Sequence, residues 1–318
     1  MIVTVTLNPA VDKVYWVDKL KIGQHMQEEF LTRATRSSTS AGGKGANVSR
    51  FLSAFGMDNV AMGFVGGNTG HVVVRYLQNK GVTTNFTWIH EETRINVTVI
   101  ESGRDLSPNL INERGPTITT PECDRFMRRY RRMVKRASWV VLAGSLPPGI
   151  DPGIYGELTT IARESGAKVV ISAGGEALSH ALEACPTIIK PDTREHVVFE
   201  GKELKSIEDI VEAGKSVVSC GVEAVIVSHH VTGDIAITED AVWEINAEVS
   251  TSSFKNIVGA DDAFLGGILY KLVENAPMEE ALRFGLAAGI ASAESDKKIC
   301  EDRARVESEM EAVSVSRL

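Results

Sequence analysis

Trp139-Val140-Val141-Leu142-Ala143, followed at once by Gly144-Ser145-Leu146-Pro147-Pro148-Gly149, decides the architecture. Five apolar residues without alternation suit a strand buried on both faces, as in parallel sheets. A glycine-containing loop straight after them suits the carboxyl end of such a strand. The pattern then repeats. Tyr155 to Glu164 reads as an amphipathic helix, Val169 to Ser172 as a strand and Glu176 to Ala184 as a helix. Thr187 to Lys190 reads as a strand, Ser206 to Ser219 as a helix and Ala224 to Ser228 as a strand. Such alternation predicts right-handed βαβ units and a mainly parallel sheet covered on both faces.

Outward from this centre, Ile235 to Thr238 and Val242 to Ile245 predict a hairpin, then helices at about 260–274 and 278–294 and a short polar helix. On the amino-terminal side, Ile2 to Leu7 predicts a strand that ends at Asn8-Pro9. Val14 to Val17, Glu28 to Arg36, and residues 86–90, 94–101 and 109–112 predict short, partly polar strands. The expectation is one α/β domain over 1–318, with a small β lid from segments within about 12–36 and 86–112.

The chain has 318 residues, with 42 acidic and 34 basic side chains and a net charge of −8. That balance argues against nucleic acid or an anionic membrane surface as partner. The basic run from Arg125 to Arg136 is interleaved with Phe126, Tyr130, Met133 and Val134, so it reads as a solvated helix face. The four cysteines form no CxxC pair, which predicts reduced thiols in the cytoplasm. No apolar run approaches the roughly 20 residues of a membrane span. His229 and His230 are adjacent on a strand and face opposite ways, so they predict no metal pair.

Four loop constellations carry chemistry. Ala41-Gly42-Gly43-Lys44-Gly45-Ala46-Asn47 lets backbone approach a ligand, with Lys44 as a point charge and Asn47 one turn into a helix. Taken alone it equally suits a glycine-rich turn with an exposed lysine. Asp12, just after Asn8-Pro9, could accept two hydrogen bonds from a polyol or be a turn carboxylate. Gly144-Ser145 at a strand end suits contact with a substrate or a stiff connection. Gly259-Ala260-Asp261-Asp262 opens an apolar helix, whose N–H groups can stabilise a transferring phosphoryl group. An Asp there could take the proton from an attacking hydroxyl, or simply cap the helix. Neither GxGxxG after the first strand nor GxxxxGK[ST] is present.

Together these pieces resemble the PfkB carbohydrate-kinase family, of ribokinase-like fold. The nearest branch is that of 1-phosphofructokinase and tagatose-6-phosphate kinase. The resemblance rests on Thr6 to Asp12 (TLNPAxD), Gly42 to Val48 (GGKGxNV) and Thr93 to Val97 (TRxNV). It continues through Ile111 to Pro116, Gly144 to Gly149 (GSLPxG) and Gly259 to Asp262, where the family has GAGD. It implies a three-layer sandwich with a β lid and phosphoryl transfer from MgATP to a phosphorylated ketohexose. Fructose 1-phosphate is the first candidate acceptor and tagatose 6-phosphate the alternative.

The resemblance also implies roles: Asp262 as catalytic base, with Gly259, Ala260 and Asp261 as the anion hole. Asp12, Gly43, Lys44, Asn47, Arg94, Asn112 and Ser145 fall to the acceptor and its phosphate. Lys190, Asp192, Glu195, Ser228 and His230 fall to the nucleotide, with Glu195 indirectly at Mg²⁺. A homodimer through the lid and a monomer both stay open.

Four positions depart from the family pattern. Asp261 replaces a Gly, His230 a Gly, Asp192 an Asn and Ser172 an Asp. A carboxylate about 5 Å from a phosphoryl oxygen costs roughly 3 kcal/mol at an effective dielectric of ~20. Uncompensated, that slows chemistry about a hundredfold. The departures therefore keep a second reading open, a sugar-phosphate-binding regulatory protein with weakened transfer.

Overall fold

Strand β1 (Ile2–Thr6) is buried along its whole length and is the spine of the molecule. The structure is a computed structural model that describes residues 1–21, 23, 31–103, 108–192, 198–199, 202–230 and 232–318. After β1 come β2 (Ala10–Val17), β3 (Arg36–Gly42), α1 (Lys44–Ala54), β4 (Asn59–Gly66), α2 (Gly67–Asn79), β5 (Thr83–Thr84) and β6 (Thr87–Ile89). Next are β7 (Arg94–Glu101), β8 (Asn109–Asn112), α3 (Thr120–Met133), β9 (Trp139–Ala143), α4 (Ile154–Glu164), β10 (Lys168–Ser172) and α5 (Gly175–Leu182). Then follow β11 (Ile188–Ile189), β12 (Val198–Phe199), β13 (Lys202–Glu203), α6 (Ile207–Ser219), β14 (Ala224–His230) and β15 (Gly233–Thr238). The chain finishes with β16 (Val242–Ala247), α7 (Ala260–Val273), α8 (Met278–Ala293), α9 (Arg303–Glu309) and β17 (Val313–Arg317).

Among the described residues, the main sheet runs β17-β16-β15-β14-β11-β10-β9-β1-β4-β5, with β6 also on β4. Pairings from β14 across to β5 and β6 are parallel. The hairpin strands β15 and β16, and β17 at the edge, are antiparallel. Side chains alternate between the faces, which places apolar packing on both. Val140 and Leu142 meet Tyr130, Leu158, Leu178 and Ile210 from α3, α4, α5 and α6. Val141 and Ala143 meet Phe51, Phe264 and Phe284 from α1, α7 and α8. This is the expected three-layer α/β sandwich. Among the described residues no helix is long and apolar enough to cross a membrane.

A second sheet runs β3-β2-β7-β8. Two segments differ from expectation. The strand expected over Glu28 to Arg36 starts only at Arg36, and residues 24–30 lie outside the described residues. Arg36-Ser37-Ser38-Thr39-Ser40 has no apolar alternation, so its strand comes from antiparallel pairing with β2. The strand near 86–90 leaves the small sheet and joins β4, with Phe64 opposite Thr87. Burial of Phe86, Thr87 and Ile89 draws it to the main sheet. The small sheet therefore uses 10–17, 36–42, 94–101 and 109–112.

Candidate active site

Parallel strands end on one edge, and the candidate side chains gather there. At the start of α1, Lys44 Nζ stands 3.5 Å from Asp192 Oδ2 and 3.9 Å from Asp262 Oδ1. One turn on, buried Asn47 donates from Nδ2 to Asp262 Oδ2 at 2.8 Å. Helix α1 itself is entered through Gly43 at φ +107°, a left-handed value that favours glycine. Asp262 is buried in the first turn of α7. There Gly259, at φ +97°, is the N-cap, and a Cβ on it would meet the Lys298 stem at 2.8 Å. The Ala260 N–H already donates to Ile257 O at 3.2 Å, so an anion held there would share or displace that bond.

The small sheet contributes a polar row. Register places Ser40, Asp12, Asn96 and Asn112 side by side across its four strands. Asp12 is buried; its Oδ1 accepts from Asn96 Nδ2 at 3.0 Å and its Oδ2 from Lys298 Nζ. Asn112, at the outer end of the row, is exposed. Gly42 lies opposite Ala10, and a Cβ there would sit 2.3 Å from the Asp12 carboxylate.

Arg94 is half-buried and works locally. Its guanidinium donates twice to Asn8 O, at 3.0 and 3.2 Å, and once to Glu113 O at 2.9 Å. Burial lowers its pKa from the ordinary arginine value. Asn8 Nδ2 donates to Arg114 O at 3.0 Å and reaches exposed Ser145 Oγ at 3.4 Å. A cleft of 590 Å³ opens beside Arg94 and Arg114. Asp262 and Lys44 do not line it, so it is separate from the carboxylate cluster; Glu91, Glu92 and Glu113 line it as well.

On the other side, Lys190 is buried at the end of β11. Its Nζ lies 2.5 Å from Ser228 Oγ, 3.2 Å from Asp261 Oδ1 and 3.5 Å from Asp234 Oδ1. Burial alone would lower Lys190, but Asp261 and then Asp234 outweigh it and hold the ammonium above its ordinary pKa. Asp261, feared as an uncompensated charge, thus has a cation beside it. Ser172 is buried at the end of β10, where its carbonyl accepts from the Gly144 N–H at 2.9 Å. Glu195 and the His230 side chain lie outside what the structure describes.

Sequence reasoning missed four residues. Asn8 and Asn96 were inside quoted motifs but carried no assignment. Asp234 had a signal, a lone carboxylate opening the apolar strand Asp234-Ile235-Ala236-Ile237. Lys298 had none, because only the tertiary fold carries it from beyond α8 to Asp12.

The family model for pfkB family carbohydrate kinases matches residues 6–300. The chain belongs to the pfkB carbohydrate-kinase family. Among its family relatives, 1-phosphofructokinase of Bacillus subtilis (strain 168) is 35% identical over 297 residues, covering 93% of this chain and 94% of the relative. Tagatose-6-phosphate kinase of Staphylococcus epidermidis is 30% identical over 296 residues, covering 92% of each. A solved pfkB-like structure from Thermotoga maritima, named as a possible 1-phosphofructokinase, has a TM-score of 0.90 at 32% identity. It covers 100% of this chain and 99% of its own.

Proposed function

We propose that this chain transfers the γ-phosphoryl group of ATP to a hydroxyl of a phosphorylated ketohexose, with fructose 1-phosphate as the acceptor and fructose 1,6-bisphosphate as product. The observation that carries the reading is a set of buried acceptors around the carboxylates. The side-chain oxygens of Asn8, Asn47 and Asn96 are buried and have no hydrogen-bond partner among the described residues. Asn47 and Asn96 donate to Asp262 and Asp12 respectively, so both free oxygens sit beside a carboxylate. A polyol supplies the O–H donors that such oxygens need.

In this reading Asp12, Asn47 and Asn96 hold the sugar hydroxyls. Asp262 takes the proton of the attacking hydroxyl as its oxygen bonds to the γ-phosphorus. The bond from that phosphorus to the bridging oxygen breaks, and ADP leaves with the electron pair. Lys44 stands beside Asp262, within reach of the moving phosphoryl charge, and the first turn of α7 adds its N–H groups. Arg94 fixes the Asn8 turn through two bonds and faces the neighbouring cleft, where it supports recognition of the acceptor's own phosphate. Lys190 and Ser228 serve the donor phosphates. The small sheet acts as a lid over the sugar and excludes water.

Mg²⁺ fits this donor set in one way. Among the described residues no group of three or more His, Cys, Asp or Glu side chains could hold a metal ion. An ion held mainly by water and nucleotide, with Asp192 as nearby carboxylate, matches that sparse set. Bound there, it would neutralise the donor phosphates. The free thiols and the substrate class support a cytoplasmic location. The β8 edge exposes Leu110 by 51% and Ile111 by 65%, which supports pairing of two lids in a homodimer. A monomer in sedimentation equilibrium at micromolar concentration would exclude that assembly.

A coupled assay of ADP release with MgATP tests the function against fructose 1-phosphate, tagatose 6-phosphate and unphosphorylated sugars. Turnover confined to phosphosugars is the expected result. No turnover with any phosphosugar sinks the reading. Sugar-phosphate binding in calorimetry without turnover would favour the regulatory alternative.

A further inference from the structure

We propose that Lys298 is a positioning residue for the acceptor, holding the Asp12 carboxylate in the orientation that meets the sugar and registering it against the helix that carries Asp262. The inference rests on the kinase reading above and deepens its acceptor site. The Lys298 ammonium donates to Asp12 Oδ2, while Asn96 holds Oδ1 at 3.0 Å. Both ends of the pair are nearly out of solvent, with the lysine side chain 14% exposed and the carboxylate 7%. The same lysine is the wall behind the N-cap of α7. A Cβ on Gly259 would come within 2.8 Å of Lys298 Cγ, 2.9 Å of its carbonyl oxygen and 3.4 Å of Cε. One side chain therefore meets the small sheet with its charged tip and the start of α7 with its stem.

The backbone that carries Lys298 is fixed. Ile299 is fully buried, and the Cys300 N–H donates to buried Ser292 Oγ of α8 at 2.9 Å. A flexible stem, packed along Gly259, thus reaches its anion from a rigid base. With a donor on each oxygen, Asp12 loses rotational freedom. Its remaining lone pairs then point in set directions for the sugar hydroxyls. The ammonium also matches the charge of a carboxylate that lies beside an anionic, phosphorylated acceptor. Lys298 acts through Asp12 and not on the reacting atoms.

The test compares wild type with Lys298→Met and Lys298→Arg, by steady-state kinetics and by calorimetry with fructose 1-phosphate, tagatose 6-phosphate and MgADP. Methionine keeps an apolar stem against Gly259 and removes the ammonium; arginine keeps the cation. For Lys298→Met the expected result is phosphosugar binding weaker by about tenfold or more, with a matching rise in its KM. MgADP affinity stays within roughly twofold of wild type, and Lys298→Arg recovers most of the loss. In an Asp12→Asn background Lys298→Met costs less than about threefold, because the pair is already broken. Unchanged or tighter phosphosugar binding in Lys298→Met overturns the proposal. Equal weakening toward both ligands, no recovery with arginine, or an undiminished effect in the Asp12→Asn background makes Lys298 a packing residue behind α7 and overturns it as well. If the wild type binds a phosphosugar without turning it over, the kinase reading fails, while the binding comparison still decides the role of Lys298. A wild type that binds neither phosphosugar overturns both.

Discussion

Asp262 is held from two sides. Asn47 fixes Oδ2 at 2.8 Å, and the Lys44 ammonium stands 3.9 Å from Oδ1. Asp262→Asn keeps the size of the group and removes its ability to take a proton. We expect kcat to fall by about 10³-fold, with KM changing far less, because general-base catalysis contributes roughly 10²–10⁴-fold. Steady-state kinetics with an unchanged circular-dichroism melt checks it; a loss under tenfold would remove Asp262 from the base role. Asp262 was legible because a carboxylate in the first turn of a helix is a recognisable position. Its restraint by Asn47 was not, since the two are 215 residues apart in sequence. Charge compensation was equally hidden. The sequence shows Asp261 and Lys190 but not that they lie 3.2 Å apart.

At the scale of elements, the βαβ centre was readable because burial on both faces leaves runs such as Trp139 to Ala143 apolar throughout. The small sheet was harder. Its β3 is polar and exposed over four residues, then closes on Ala41 and Gly42, which are buried. Nothing local marks Arg36 to Ser40 as a strand; hydrogen bonds to β2 do. That pairing sets Gly42 against the Asp12 carboxylate, leaving no room for a Cβ at 2.3 Å. Gly42→Ala must therefore push Asp12 away from Asn96 and Lys298, a displacement that acts on the acceptor more than on the nucleotide. We expect KM for the phosphosugar to rise about tenfold or more, with MgADP affinity near wild type. Equal losses in both would mean that the substitution disrupts the whole edge of the sheet.

For the whole molecule, the net charge of −8 is reconciled with anionic substrates by a few placed cations at the site, Lys44, Arg94 and Lys190. A different charge cluster ties the segment after α8 to α1 and to the residue after α2. Glu301 accepts from Lys80, after α2, at 2.7 Å and lies 3.5 Å from Arg50 of α1. It closes the segment that carries Lys298 to Asp12, so its restraint reaches the site. Arg50 is 2% exposed, and its Nε and Nη1 already lack hydrogen-bond partners among the described residues. Burial alone would raise the Glu301 carboxyl, but the Lys80 bond and the charges of Lys80 and Arg50 outweigh it, so its pKa falls below the ordinary 4.5. A lowered carboxylate pKa contributes stability that is present above 4.5 and is lost as pH falls through the folded-state value. Glu301→Gln removes that contribution and leaves Arg50 buried without its anion. We expect unfolding in urea at pH 7 to show a loss of roughly 2–4 kcal/mol. At a pH below the folded-state value the gap between variant and wild type should narrow, because protonated Glu301 resembles the amide. A gap of the same size at both pH values would mean that Glu301 acts through packing and not through its charge.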